Sequence, residues 1–433
     1  MTAIVADETP TTTSPTLRWY VLIVMCAVYA INIADRYVMS TVLEPIRLEL
    51  HLTDSGVAFL TGVSLALFYV TMGIPLSWVA DRANRRNLLA LALVAWSVMS
   101  VLCGLSRTYT QLLLARIGVG VGEAGGTPPA NSIIADYFPA GRRAMAMAVF
   151  ALGAPIGAWL GADMAGAVAK AYGWRTAFLV LGAPGVVIGL LVFLSVKEPA
   201  RGRLDTVAQG DTPSFPQTLK YLMGQRACMH VMMGGGLSAL WGWGLMWFTP
   251  TYLQRAYHLD VGQAGGLLGP IHLYAGIAAS LGTAWLLSRP YFTDPRRILT
   301  LLAAVTAVCT VPSFIAYWTH SLVVARIMLW LYIPAIYFYI GPAMALVQNL
   351  APPKMRAMFI AISLVLANVF NLIVAPQAVG WMSDHFAGPA GADAASLRLA
   401  LLVLAPSGLW AAWHYWAARQ TVVAEQTQAV GYI

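Results

Sequence analysis

Ala115-Arg116-Ile117 lies a few residues inside a long apolar stretch and returns in the same setting as Ala325-Arg326-Ile327. Outward from that pair, His51-Leu52, Gly62 and Arg82 recur as His258-Leu259, Gly269 and Arg289, offset by 207 residues, while the triplets are offset by 210. Pro129-Ala130, Arg143-Ala144-Met145 and Ala148 recur as Pro342-Ala343, Arg356-Ala357-Met358 and Ala361, offset by 213. An offset that grows in order along the chain is what two small insertions into a duplicated half leave behind. A repeat sets the fold before any local signal does. In a membrane chain a duplicated half is the usual framework of an alternating-access transporter.

The membrane setting follows from composition. The chain is 59% hydrophobic and 10% charged, with a mean hydropathy of +0.69. A soluble protein carries roughly 25% charged residues, so most of this surface does not face water. A bilayer-spanning helix needs ~20 apolar residues. Twelve such stretches fit, at approximately 19–43, 57–80, 87–106, 109–136, 143–169, 174–196, 228–253, 263–288, 296–318, 320–349, 356–382 and 396–418. The expected fold is therefore an all-α integral membrane protein of two six-helix, pseudo-symmetric bundles.

The net charge of +8 invites a nucleic-acid reading, but its distribution excludes one. With the N-terminus inside, the cytoplasmic segments hold about seventeen Lys and Arg and the external loops about six, which is the positive-inside asymmetry. It places both termini in the cytoplasm of a multi-pass protein of the cell (inner) membrane. The four cysteines, Cys26, Cys103, Cys228 and Cys309, fall in or at the edge of apolar spans without CxxC or Cys/His metal spacing. Neither a disulfide framework nor a metal site is indicated, and no cofactor is called for.

The expected organisation is a disordered cytoplasmic tail over 1–17, a first bundle over 18–196, a cytoplasmic linker over 197–227, a second bundle over 228–418 and a cytoplasmic tail over 419–433. In the linker, Phe215, Leu219, Leu222 and Met223 recur at helical spacing, which suggests a helix on the membrane surface. Six is an even number, so the repeats are parallel, related by an axis along the membrane normal. Pro128, Pro129, Pro155, Pro334 and Pro342 mark spans 4, 5 and 10 as places where the helix bends. Gly120-Val121-Gly122-Glu123-Ala124-Gly125 matches a dinucleotide-binding pattern, but that motif needs a strand before it. Gly118, Gly122 and Gly126, four apart, instead let helices approach closely.

Few ionisable groups lie well inside the spans: Asp35, Arg36, Arg116, Glu123, Asp163, His272 and Arg326. A charge in hydrocarbon costs ~2.5–3.5 kcal/mol even on the lenient insertion scale, so these groups face an interior or a wet cavity. At ~1.5 Å per residue, Asp35 and Arg116 reach similar depth, and Glu123 lies two turns along the same face of span 4 from Arg116. Asp35, Arg116 and Glu123 are thus candidates for proton coupling, with a static ion network as the competing structural role. Asp163 and His272 are further candidates. Arg116, Arg36 and Arg326 supply positive charge for a cargo, Arg being suited to carboxylate or phosphate through its paired donors. Trp243, Trp247, Tyr337 and Asn368 supply a wall without an acid.

Ser77-Trp78-Val79-Ala80-Asp81-Arg82-Ala83-Asn84-Arg85-Arg86, between spans 2 and 3, resembles the signature loop of the major facilitator superfamily. It departs from Gly-x-Leu-Ala-Asp-Arg-x-Gly-Arg-Arg at Ser77, Val79 and Asn84. Arg116 with Gly120, and Gly153-Ala154-Pro155-Ile156-Gly157, resemble that family's span-4 and span-5 motifs. Asp35-Arg36, the run from Arg116 to Ala124, and Ile134-Ala135-Asp136-Tyr137-Phe138-Pro139 resemble the Spinster-like branch, most fully in the first half. The resemblance implies a proton-coupled secondary transporter, with Asp35, Arg116 and Glu123 as coupling and gating residues. It implies a cytoplasmic gate at Asp81 with Arg82, Arg85 and Arg86, to which Arg143 is added. Lysophospholipid-like cargo enters by the same route.

The resulting expectation is a monomeric carrier of a small amphipathic organic anion, partnered by protons and the lipid bilayer and not by nucleic acid. An uncoupled facilitator or multidrug exporter of the same fold is the alternative. A membrane-embedded enzyme lacks a metal cluster or nucleophile–base pair, and a transport-dead sensor is the remaining class.

Overall fold

A computed structural model describes residues 14–80, 82–200, 214–389 and 391–430. Asp81, the first tail and much of the linker's polar stretch lie outside the described residues. Among the described residues, ten helices are long and apolar enough to cross a membrane on their own. In chain order they are spans 1 (Pro15–Thr41), 2 (Asp54–Gly73, continuing to Ala80), 3 (Arg85–Leu105), 5 (Gly141–Tyr172), 6 (Trp174–Ser195), 8 (Val261–Leu287), 9 (Pro295–Trp318), 10 (Leu322–Leu350), 11 (Pro353–Phe386) and 12 (Ala394–Ala418). Two more complete the twelve: span 4, split into Tyr109–Glu123 and Thr127–Tyr137, and span 7 (Arg226–Tyr257), whose middle is rich in glycine and tryptophan.

The span starts are written in the sequence as side-chain caps. Ser14, Thr53, Asn84, Thr108, Asp260, Asp294, Ser321 and Asp393 each accept a backbone N–H of the first turn of spans 1, 2, 3, 4, 8, 9, 10 and 12, satisfying donors that the helix itself leaves free. The perimeter is apolar: Leu91, Leu194, Val308 and Trp381 are each more than 60% exposed, as lipid-facing side chains are.

The duplication is visible in the backbone. Among the described residues other than glycine, two take positive φ: His51 at 52° and its repeat mate His258 at 54°. Each reverses the chain after the first span of its half and hands it to the cap of the next. Helix breaks follow the prolines. Span 4 stops at Glu123, ahead of Pro128 and Pro129; span 5 breaks at Leu152, ahead of Pro155; span 10 breaks at Tyr339, ahead of Pro342. A proline removes the bond to the carbonyl four residues earlier, and the breaks fall there. Pro334 is held inside continuous helix.

Spans 2, 5, 8 and 11 each contain a π turn, at Phe59–Val63, Leu160–Met164, Ile271–Ala275 and Val369–Val374. These four helices join the halves, span 2 against span 11 and span 5 against span 8. Two glycines set the approach. A Cβ on Gly62 would collide with the Leu372 carbonyl, and one on Gly265 with the Ala162 carbonyl, so backbone meets backbone there. The close packing lies toward the side of the molecule away from the two chain ends. On the side of the chain ends, Phe215–Met223 forms the expected linker helix, with Phe215 and Met223 exposed. The segment after span 12 is helical over Val422–Val430 in its described part, and Glu425 accepts the Ala227 and Cys228 N–H groups at 2.8 and 3.2 Å, capping span 7.

Candidate functional site

Consecutive residues on a helix point about 100° apart, and Asp35 and Arg36 divide on that principle. Asp35 turns to spans 3 and 4, where Arg116 Nη1 donates to its Oδ2 at 2.8 Å and Ser100 Oγ donates to its Oδ1. Arg36 turns to the end of the first segment of span 4, donating to Glu123 Oε2 from Nη2 at 2.6 Å and from Nε at 3.0 Å. Its guanidinium also lies 5.3 Å from the Tyr69 ring centre. Arg116 and Glu123 are fully buried and Asp35 is 6% exposed. The second Glu123 oxygen, Oε1, has no partner among the described residues.

This corrects the sequence reading in one respect. Asp35, Arg116 and Glu123 were expected on one stripe; the structure adds Arg36 and divides the four into two pairs, with Arg36 rather than Arg116 on Glu123. The span-4 break explains it. The helix ends at Glu123, where the negative end of its dipole favours a cation, and Arg36 supplies one.

A cavity of about 940 Å³ lies between spans 1, 7, 10 and 11. Arg36 is the charged side chain among its described lining residues; Asn368, Asn371 and Ser363 are polar, and Tyr29, Tyr37, Trp243, Trp247 and Tyr339 aromatic. Trp247 Nε1 donates to Asn371 Oδ1 at 2.9 Å. A second cleft of about 800 Å³, which shares Tyr29, Ala154 and Ile340 with the cavity, lies between spans 5, 8 and 10 with an almost wholly apolar lining.

Of the residues expected to meet cargo, Arg36, Trp243, Trp247 and Asn368 line the cavity. Arg116 does not, being sealed behind Asp35. Arg326 is exposed on the outer face of span 10: duplication carried the arginine to the second half, but no acid there draws it inward. Tyr337 lines the apolar cleft, and its hydroxyl bonds His272 Nδ1 at 2.9 Å. Asp163 accepts Trp159 Nε1–H at 3.0 Å within its own helix.

The charged latch between the halves was not read from sequence. Away from the chain ends, Arg255 of span 7 donates to Glu44 Oε2 at 2.6 and 2.9 Å and to both oxygens of Asp54 at 2.7 and 2.8 Å. Arg47 adds a bond to Glu44 at 2.8 Å. Asp384 of span 11 accepts the Asp54 and Ser55 N–H groups, both at 2.9 Å, and Ser383 donates to Asp54 at 2.6 Å. Lys170 pairs with Asp260 at 2.9 Å, and Ser40 donates to the Trp247 carbonyl at 2.8 Å. Burial works against the Glu44 charge, yet hydrogen bonds from Arg47 and Arg255 hold its carboxyl below the usual range. These groups sit at loop edges and pair between the halves across 90 to 330 positions, so no spacing rule finds them; the sequence signal was two external arginines, Arg47 and Arg255.

Asp81 lies outside the described residues; of the arginines expected beside it, Arg85, Arg86 and Arg143 make these bonds. Arg85 donates to Asp136 at 2.5 Å, Ser132 at 2.7 Å, Glu198 at 2.7 Å and the Pro199 carbonyl at 2.8 Å. The Arg86 backbone N–H meets Glu198 at 2.8 Å, and Arg143 donates to the Ala135 and Phe138 carbonyls at 2.9 and 3.1 Å. These bonds fasten the ends of the first half to one another; Arg82 is exposed and itself engaged. The cavity is closed by the latch on one side and faces the chain ends on the other.

Residues 25–376 match the model of the Major Facilitator Superfamily. The chain is 30% identical over 411 residues to an MFS-type efflux pump of Mycolicibacterium smegmatis, covering 93% of each chain. It is 28% identical to a probable L-galactonate transporter of Escherichia coli, over 61% of this chain and 59% of that one. Among solved structures, a bacterial homolog to the human lysosomal transporter Spinster, in an inward-facing and unoccupied conformation, superposes with a TM-score of 0.82. That protein shares 27% identity over 95% of this chain and 99% of its own.

Proposed function

This chain belongs to the major facilitator superfamily, and we propose that it is a proton-coupled secondary transporter, working by alternating access, that carries an amphipathic organic anion. The observation that supports this most directly is the Arg36–Glu123 pair, in which one guanidinium both binds a buried carboxylate and faces the cavity. A proton on Glu123 removes the charge that holds Arg36, and the freed fork then binds a carboxylate or phosphate of the cargo. Proton uptake and anion binding thereby favour one another. Moved together with one proton a monoanion crosses without net charge, so the pH gradient drives it, by roughly 1.4 kcal/mol or tenfold in concentration ratio per pH unit. Asp35, held by Arg116 and Ser100, is the second carboxylate of this relay.

The two-part space suits an amphipath, with the polar end at Arg36, Asn368 and Asn371 and the apolar end in the cleft of spans 5, 8 and 10. With both termini in the cytoplasm, the conformation is inward-facing. A second reading, export of lipophilic drugs or uncoupled facilitation, draws on the aromatic wall and on the efflux pump of Mycolicibacterium smegmatis. Purified chain in sealed vesicles separates the two. Under an imposed pH gradient, accumulation of dodecyl phosphate in preference to a lipophilic cation, and its loss in Arg36→Lys, is the expected result. Transport of the cation alone, or transport indifferent to the pH gradient, would refute the proposal.

A further inference from the structure

Two intramembrane titratable groups, Asp163 and His272, take no part in that relay, and both sit on π turns at the seam where span 5 meets span 8. His272 is 1% exposed. Its Nδ1 bonds Tyr337 Oη at 2.9 Å, and its Nε2 has no partner among the described residues. Tyr37 from span 1 lies edge-on to the imidazole with ring centres 4.9 Å apart. That contact joins the halves, Tyr37 from the first and His272 with Tyr337 from the second. It stands behind the aromatic roof, where Tyr37 also packs on Trp243 and Trp247.

The charged and titratable groups facing the ring are few. Span 1 presents Tyr37, with neighbouring Arg36 turned to Glu123, and span 10 presents Tyr337. The packed segment Gly153–Trp159 of span 5 holds no titratable residue, nor do the segments of span 8 that flank the π turn, apart from Tyr274 on the turn itself, which is 65% exposed. Asp163 of span 5 faces Gly269, about one turn outward of His272, and is bonded to Trp159. An imidazolium in this place would be buried, with no carboxylate bonded to it among the described residues. A buried unpaired charge of that kind is strongly disfavoured.

We propose that His272 is a further proton-responsive residue of the transport cycle, neutral while the halves are shut over it and charged once the side away from the chain ends has opened. This rests on the alternating-access reading. Opening there carries Tyr37 away with the first half and admits water to Nε2, and a hydrated imidazole titrates around pH ~6.5. The charged form belongs to the open state. The preference for closure is therefore complete above that pH and declines below it, by up to tenfold in the closed-to-open ratio per pH unit for one proton. Acidity on that side holds it open.

The test uses the full chain in lipid nanodiscs, with spin labels at exposed Tyr172 and Val323, on the far ends of spans 5 and 10. A Glu123→Gln background removes that carboxylate's titration. Between pH 8 and 5 a longer-distance population is expected to grow with its midpoint in the histidine range. His272→Phe, which keeps a flat ring, and His272→Asn are both expected to abolish that transition. An unchanged distribution in the parent protein overturns the proposal without any variant, as does the parental midpoint persisting in both. If the distance stays short in every condition, including an added Arg255→Ala, alternating access itself fails. If the side opens but ignores His272, the histidine assignment alone fails.

Discussion

Replacing Glu123 with Gln tests the shared guanidinium directly. In the structure Arg36 gives Glu123 two hydrogen bonds, at 2.6 and 3.0 Å, with the carboxylate fully buried. An anionic ligand must compete with that carboxylate. Hydrogen bonds to a charged group contribute about 1.5–3 kcal/mol each, and Gln retains one neutral acceptor, so the variant lowers the cost of freeing Arg36 by about one such bond. At 1.4 kcal/mol per factor of ten, anion affinity is expected to rise roughly tenfold to a hundredfold. The pH profile changes with it. The wild-type protein binds more tightly as pH falls, because protonated Glu123 releases Arg36, whereas the variant lacks that dependence. Isothermal titration of dodecyl phosphate into purified protein from pH 5 to 8 reads both quantities. Concentrative uptake driven by a pH gradient is lost in the same variant, while exchange continues. Glu123→Gln protein that still accumulates solute under a pH gradient, or binds with wild-type affinity and pH profile, would refute the reasoning.

Arg255→Ala leaves Asp54, fully buried in the structure, without its closest cation. Breaking a buried pair costs about 3–5 kcal/mol, so the far side is expected to open in most molecules, read as a longer spin-label distance; an unchanged distance would show that the latch does not hold closure. Because hydrogen bonds from Arg47 and Arg255 depress Glu44 despite its burial, its contribution to closure is complete above the ordinary carboxylate range, about pH 4.3, and is lost as pH falls through its lowered value. A second opening step below that pH is expected in wild-type protein and absent in Glu44→Gln. Gly62→Val places a side chain against the Leu372 carbonyl and is expected to prevent closure of the far side while leaving the protein folded. Normal transport by that variant would show that the backbone contact is dispensable.

Much of this protein was legible before folding. The ordered repeats, from Ala115-Arg116-Ile117 outward, gave two halves, and the structure repeats them down to the positive φ of His51 and His258. The apolar runs placed the spans and the prolines marked breaks in spans 4, 5 and 10, because a proline acts on the backbone group four positions back. The gathering of Asp35, Arg116 and Glu123 followed from depth, since charges in an apolar span have few places to go; that Arg36 joins them did not. Who pairs with whom did not follow. A spacing rule gives a residue's height and face on its own helix but not the rotation of that helix against its neighbours. Hence Arg36 rather than Arg116 took Glu123, Arg326 turned outward, and the latch of Arg255 with Glu44 and Asp54 went unread. Local physics, carried by each segment alone, fixed the elements; partners two hundred residues away were decided by the packing of one half on the other.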